Sequence, residues 1–102
     1  MTDFIPYGRQ SINADDIQSV LSTLESDFLT QGPMVPRFEN LISTLTGSQY
    51  SLAVNSATSA LHLSCLALGV GASDIVWTSP ITFVASANCA LYCGANVDFV
   101  DI

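Results

Sequence analysis

Hydrophobic residues recur at helical spacing in the first half of the chain. Asn13 precedes two acidic residues, which is typical of a helix start. The apolar positions that follow predict an amphipathic surface helix; they are Ile17, Val20, Leu21, Leu24 and Phe28. Glycine and proline in residues 29–33 predict an ordered loop. A second helix, predicted to end at Gly47, carries the apolar residues Phe38, Leu41, Ile42 and Leu45.

From residue 50 the pattern changes to short runs of strand-forming residues that alternate with helical stretches. The expected strands are residues 50–55, 75–79 and 97–101, and the expected helices are residues 58–68 and about 83–93. Gly69 and Gly94 follow the two helices as helix stops. This alternation predicts right-handed crossovers and a mainly parallel sheet. Both helices are apolar on almost every face, so each needs cover on two sides.

The composition is that of a globular protein with little positive charge. Of 102 residues, 49% are hydrophobic and 11% are charged, which argues against disorder. Two arginines against nine acidic residues give a net charge of −7, which argues against a basic surface for nucleic acid or anionic membrane. The N-terminus lacks the order of a signal peptide, and no apolar run is long enough to span a bilayer. We therefore expect a cytoplasmic protein with neither nucleic acid nor membrane as a partner.

The three cysteines are an odd number in a chain with few cysteines. They are Cys65, Cys89 and Cys93, and they fit a reducing compartment better than a disulfide framework. Cys89 and Cys93 fall one helical turn apart, so with His62 they could be imagined as metal ligands. The spacing matches no strong zinc pattern, and small buried hydrophobic side chains are the better interpretation. We expect no metal site.

The segment from residue 51 to residue 69 carries the clearest chemical signal. An apolar run of strand type leads into a short polar turn at residues 55–59 and then into a helix. Such a joint directs free backbone N–H groups and the positive end of a helix dipole at one spot, which suits a phosphate. The hydroxyls of Ser56, Thr58 and Ser59 can add donors. The alternative is an ordinary strand-to-helix turn with a capping serine or threonine, and the segment taken alone favours it.

Six blocks of residues are informative through their order and spacing. They are residues 29–33 (LTQGP), 37–39 (RFE), 53–62 (AVNSATSALH), 80–88 (PITFVASAN), 92–95 (YCGA) and 98–102 (DFVDI). Together they resemble the start of the DegT/DnrJ/EryC1/StrS sugar aminotransferases, from Ile5 onward over almost the whole chain. Within the family the resemblance is greatest to the pseudaminic-acid branch, the UDP-4-amino-4,6-dideoxy-N-acetyl-β-L-altrosamine transaminases.

The resemblance implies a pyridoxal-phosphate (PLP) enzyme of the aspartate aminotransferase fold, fold type I. This α/β fold has three αβα layers and a mainly parallel sheet, whose first strand lies far from the paired second and third strands. Residues 1–102 would form a single incomplete domain. Residues 1–49 would supply N-terminal helices and a loop, and residues 50–102 the start of the PLP-binding α/β large domain. The full-length enzyme is expected to be a homodimer.

The resemblance also implies roles for individual residues. Ala57, Thr58 and Ser59 would hold the phosphate of the cofactor, in agreement with the argument from the helix start. Phe83 matches the aromatic position whose ring lies against the cofactor's pyridine ring. A flat apolar ring there fixes the tilt of the cofactor and shields it from water. The alternative for Phe83 is a core residue at a helix start.

Other residues give weaker indications. Tyr7, Thr30 and Gln31 resemble segments near the sugar-nucleotide site, with packing or capping as the alternative role. His62 is expected to be a structural histidine. Trp77 is expected to be a core residue of the second strand.

The implied reaction moves an amino group from a donor, expected to be glutamate, to C4 of a UDP-linked 4-keto-6-deoxy-N-acetylhexosamine. It would serve pseudaminic acid or related surface-glycan biosynthesis. PLP-dependent transamination needs a lysine that forms a Schiff base and an acid at the pyridine nitrogen, and the family supplies both from beyond residue 102. Because this chain has no lysine, we interpret it as an N-terminal fragment that is inactive by itself.

Two alternatives remain open. One is a sugar dehydratase of the same family that uses the amine form of the cofactor and has histidine in place of the lysine. The other is a non-catalytic phosphate-binding module of Rossmann type. Against the module, no strand is followed by G-x-G-x-x-G and there is no P-loop lysine.

Overall fold

The computed structural model describes residues 6–102, which divide between two compact units. The first unit ends at Ala53 and the second spans Val54–Ile102. The first contains two helices, α1 (Ala14–Leu24) and α2 (Met34–Thr46). The second contains α3 (Ala57–Ala67), β1 (Ile75–Thr78), α4 (Ala85–Tyr92) and β2 (Asn96–Phe99). From residue 57 onward, the predicted alternation of helices and strands is confirmed.

A capping box starts α1 at Asn13, as the sequence predicts. The side-chain oxygen of Asn13 accepts hydrogen bonds from two N–H groups of the first turn, at 2.8 and 3.1 Å. Asp16 completes the box, because its carboxylate accepts the N–H of Asn13 at 2.9 Å. The helix ends at Leu24 and does not reach Phe28. The hydroxyl of Ser26 donates to a carbonyl of the last turn at 2.7 Å and so closes the helix early.

The loop and the second helix stop are also confirmed. Residues 29–33 lie outside helices and strands, and Gln31 has a positive φ of 52°. Gly47 follows α2 in the left-handed conformation with φ 70°, where a side chain would be strained.

The strand predicted at residues 50–55 is wrong, because this segment has no strand structure. A strand needs a neighbouring backbone to bond with, and here a side chain takes that place. The N–H of Ala53 donates to the Glu39 carboxylate of α2 at 2.8 Å. The hydroxyl of Ser43, also on α2, donates to that of Ser51 at 2.8 Å. The segment is therefore fastened to a helix instead of being paired in a sheet.

The sheet of the second unit is parallel, as predicted. β1 pairs with β2 in the register Ile75↔Asn96, Val76↔Val97, Trp77↔Asp98 and Thr78↔Phe99. β1 ends one residue before the predicted boundary, while β2 begins earlier and ends two residues earlier than predicted. α4 connects the two strands and contacts both of them as well as α3. This is the strand–helix–strand crossover that a parallel pair requires.

The two helix stops of the second unit have the same geometry. Gly69 and Gly94 have φ of 75° and 78°. The residue after each glycine donates its N–H to a carbonyl in the last turn of the helix, at 3.0 Å for Val70 and 3.1 Å for Ala95. These bonds are Schellman motifs, which satisfy carbonyls at the helix end. Both predicted stops are confirmed.

The buried side chains of the described residues are few and small. They are Ala85, Cys89, Ala90 and Ala95. Trp77 is 71% exposed, so its prediction as a core residue is wrong. Alternate residues of β1 point to opposite faces of the sheet. Val76 and Thr78 are half-buried, whereas Ile75 and Trp77 share the opposite face and are exposed.

Candidate functional site

The start of α3 forms the candidate site. Ser56 is extended, with φ −161° and ψ 156°, and is the N-cap of the helix. Its carbonyl accepts the first intrahelical hydrogen bond from Ala60 at 3.1 Å. Its hydroxyl oxygen accepts the N–H of Ser59 at 3.2 Å. Ala57 is therefore the first residue of the helix, as expected for a serine cap.

Three donors of residues 57–59, at the start of the helix, have no partner within residues 6–102. They are the N–H groups of Ala57 and Thr58 and the hydroxyl of Thr58. All three lie in the first turn, where the helix dipole is positive. The small side chain of Ala57 leaves the backbone open to a ligand. This donor set fits a phosphate, so the turn is suited to the phosphate group of PLP.

The side chains of Asn55, Ser56 and Ser59 are hydrogen-bonded to one another within the turn. The Ser59 hydroxyl donates to the side-chain oxygen of Asn55 at 2.8 Å. The hydroxyl oxygens of Ser56 and Ser59 are 3.0 Å apart. The sequence alone predicts both hydroxyls as donors for a ligand and indicates no role for Asn55. The signal that could have found Asn55 is its type, because Asn side chains often bond to nearby groups at helix starts.

Phe83 lies in the segment before α4 and is 74% exposed. The helix begins at Ala85, with Val84 as its N-cap. The interpretation of Phe83 as a core residue therefore does not fit the structure. An exposed aromatic ring beside a helix start is available to contact a ligand or another part of a protein.

The remaining predicted site residues belong to the first unit. Tyr7 is fully exposed, and Thr30 and Gln31 are exposed in the loop before α2. The structure thus brings Ala57, Thr58 and Ser59 together in one turn of the second unit. It shows no hydrogen bond from the side chains of the three residues in the first unit to any residue between 6 and 102.

The cysteines and His62 lie where α3 packs against α4. Cys89 is buried and its thiol donates to the Ser86 carbonyl at 3.4 Å. Burial and the nearby Cys89 and Cys93 thiols raise the pKa of the Cys65 thiol above its ordinary value. The imidazole of His62 meets the Tyr92 ring edge-on at a centroid distance of 5.3 Å. Across residues 6–102, no three His, Cys, Asp or Glu side chains are grouped to hold a metal ion.

Within the described part of the chain, every helix is too short or too polar to cross a membrane.

Comparison with known proteins gives consistent matches. The sequence profile of the DegT/DnrJ/EryC1/StrS aminotransferase family matches residues 10–102. The spore coat polysaccharide biosynthesis protein SpsC of Bacillus subtilis is 43% identical over 99 residues, which is 97% of this chain and 25% of SpsC.

Solved structures agree with the sequence matches. Helicobacter pylori PseC, an aminotransferase involved in the biosynthesis of pseudoaminic acid, is 34% identical with a TM-score of 0.87. The match covers 95% of this chain and 27% of PseC. Spr1654 from Streptococcus pneumoniae, solved in PLP and PMP forms, is 35% identical with a TM-score of 0.87, over 96% of this chain and 25% of its own. The chain thus spans about a quarter of the length of these relatives.

Proposed function

The chain belongs to the DegT/DnrJ/EryC1/StrS aminotransferase family, and from that membership we propose that the full-length enzyme carrying it is a PLP-dependent sugar aminotransferase. The expected family, the fold type I architecture and the PLP cofactor of the family are confirmed by the matches. The observation that carries the proposal is that residues 10–102 match the family and contain a helix start with unpaired donors at Ala57 and Thr58.

The proposed acceptor is a UDP-linked 4-keto-6-deoxy-N-acetylhexosamine, aminated at C4 with glutamate as the donor. Support comes from two relatives, since PseC acts in the biosynthesis of pseudoaminic acid and SpsC is named for spore coat polysaccharide biosynthesis. We assign the reaction to pseudaminic acid or related surface-glycan biosynthesis. The product would be a UDP-linked 4-amino sugar.

The proposed cofactor site is the turn of Ala57, Thr58 and Ser59 together with Phe83. PLP, when bound, would carry the amino group from donor to acceptor and would supply an electron sink for the carbanion formed on proton removal. The two free N–H groups and the Thr58 hydroxyl hold the phosphate, and the dipole of α3 adds favourable charge. These groups would keep the cofactor in place during the reaction. Phe83 covers one face of the ring and excludes water from it.

The sugar-nucleotide site is proposed to include Tyr7, Thr30 and Gln31. Their exposure leaves them available to a ligand, and the positive φ of Gln31 gives the loop a defined bend. We also propose that residues 1–49 form an N-terminal segment and residues 50–102 the start of the PLP-binding domain. The break between compact units at Ala53 lies close to that boundary.

The proposed working form is a cytoplasmic homodimer without nucleic-acid or membrane partners. The net charge of −7 supports the absence of nucleic acid, because phosphate backbones would be repelled. Partners other than a second copy are then the UDP-sugar and the amino-acid donor.

The test is a coupled assay on the full-length enzyme with PLP, glutamate and the UDP-linked 4-keto sugar. The expected products are 2-oxoglutarate and a UDP-4-amino sugar, both identified by mass spectrometry. Loss of water from the sugar without gain of an amine would show a dehydratase. A protein that binds phosphate but forms neither product would be a non-catalytic module. Either result contradicts the proposed function.

A further inference from the structure

The hydroxyl protons of the turn before α3 can be assigned one by one. A serine hydroxyl has one proton to donate. Ser59 donates its proton to the side-chain oxygen of Asn55 at 2.8 Å. The Ser56 hydroxyl has two acceptors within reach, the Ser59 oxygen at 3.0 Å and the Asn55 side-chain oxygen at 3.4 Å. Both serine protons are thus used within the turn, and neither is left for a ligand.

The serine oxygens are occupied as well. The Ser56 oxygen accepts the N–H of Ser59 at 3.2 Å, which removes that N–H from the donors open to an anion. Among residues 57–59, the donors that remain are the N–H groups of Ala57 and Thr58 and the Thr58 hydroxyl. The polar groups of the turn therefore fall into two sets. The side chains of Asn55, Ser56 and Ser59 bond with one another or cap the helix, whereas the donors of Ala57 and Thr58 are free to bind a ligand.

From this division we propose that Asn55 is a positioning residue, which holds the Ser59 hydroxyl inside the turn and leaves the phosphate to Ala57 and Thr58. The proposal rests on the proposed function, since it assumes that PLP phosphate binds here. Asn55 suits the role because its amide oxygen accepts the hydrogen bond without carrying charge. A carboxylate at the same place would also accept the hydrogen bond but would repel the phosphate.

A double-mutant cycle on the full-length enzyme tests the role of Asn55. The readout is the dissociation constant of PLP, measured by absorbance or equilibrium dialysis. Ser59→Ala is expected to raise it about twofold, because the lost hydroxyl does not touch the phosphate. In an Asn55→Ala background the freed Ser59 hydroxyl can donate to the phosphate, so Ser59→Ala is expected to raise it about tenfold.

Asn55→Asp is the matched control. It keeps the acceptor, so Ser59→Ala in that background should again have an effect of about twofold. The added negative charge should by itself weaken PLP binding about tenfold, which shows that the position lies near the phosphate. An effect of Ser59→Ala that is equal in the unaltered enzyme and in the Asn55→Ala background would overturn the proposal.

Two further measurements separate this proposal from the proposed function. The coupling between positions 55 and 59 should vanish when pyridoxal, which lacks the phosphate, replaces PLP. It should persist in the thermal stability of the enzyme without cofactor, because the Asn55–Ser59 hydrogen bond is present there. Stability coupling in a protein that binds no PLP would overturn the proposed function and the role of Asn55 toward phosphate, but not the bond itself.

Discussion

Thr58 contributes two of the three free donors at the start of α3, its N–H and its hydroxyl. Replacing it with alanine removes the hydroxyl and keeps the N–H. We expect Thr58→Ala in the full-length enzyme to weaken PLP binding by about 1–3 kcal/mol, the range for a hydrogen bond to a charged group. The measurement is the PLP dissociation constant. Ser64→Ala is the control, because the Ser64 hydroxyl on the same helix donates to the Ala60 carbonyl at 2.8 Å. Equal effects of the two variants would contradict a phosphate role for Thr58.

Phe83 offers a second test at the residue scale. Phe83→Ala should lower the transamination rate and weaken PLP binding by about 0.5–1.5 kcal/mol, because the cofactor ring loses a flat aromatic neighbour. Phe83→Tyr and Phe83→Trp keep a flat face and should retain most activity.

Ile81→Ala is the matched control for Phe83, since Ile81 is also exposed in the segment before α4. It should change neither rate nor affinity. If Phe83→Ala lowers thermal stability while affinity and rate stay unchanged, the ring packs against protein and does not stack on the cofactor.

Some features of individual residues can be predicted from the sequence and others cannot. The free donors of Ala57 and Thr58 follow from general rules of helix starts and could be predicted. The engagement of the Ser59 hydroxyl by Asn55 could not, because a sequence does not specify which of several acceptors a hydroxyl selects. The exposure of Trp77 was missed for a related reason. Burial depends on which elements pack over a residue, and its hydrophobic character alone does not decide it.

At the scale of elements, the helix stops give the most direct prediction. Gly69 has φ 75°, and a Cβ atom added there would meet no other atom within 4 Å. The cost of Gly69→Ala therefore comes from backbone strain and not from a steric clash. We expect a loss of about 1–2 kcal/mol in the stability of the last turn of α3. The measurement is the hydrogen-exchange rate of the Val70 N–H, which closes the Schellman motif, in the full-length enzyme.

Gly71→Ala is the control for Gly69→Ala. Gly71 also has open space around it but lacks the positive φ. Its replacement should leave exchange at Val70 unchanged or slow it slightly, since alanine reduces the freedom of the unfolded chain. Faster exchange in the Gly71 variant than in the Gly69 variant would show that the left-handed conformation is not what ends the helix.

Elements differ in how far the sequence determines them. Helices such as α1 and the stops of α3 and α4 depend on local rules and were predicted well. The segment 50–55 has the composition of a strand, but a strand also needs a partner backbone. In the described residues its contacts go instead to side chains of α2. Local sequence cannot distinguish a paired segment from one fastened by side chains.

At the scale of the whole molecule, the balance of buried and exposed surface decides whether residues 1–102 fold when they are expressed alone. Within residues 6–102 the buried side chains are three alanines and a cysteine, and Ile75 and Trp77 are exposed on one sheet face. Such a core supplies little hydrophobic stabilisation, which for large apolar side chains is about 1.5–3 kcal/mol each. Large exposed apolar faces and unpaired strand edges also favour association.

We therefore expect residues 1–102, expressed alone, to aggregate or to remain only partly ordered. Thermal unfolding should show no cooperative transition, and a dye that binds exposed apolar surface should fluoresce strongly. Trp77, the single tryptophan of the segment, is a built-in reporter and should emit at the wavelength of tryptophan in water. The matched comparison is the same segment within the full-length enzyme, where coverage of the sheet face would shift this emission to shorter wavelength. A monomeric segment with a sharp unfolding transition and well-dispersed amide signals would contradict the prediction, because it would require stabilisation that the four small buried side chains do not provide.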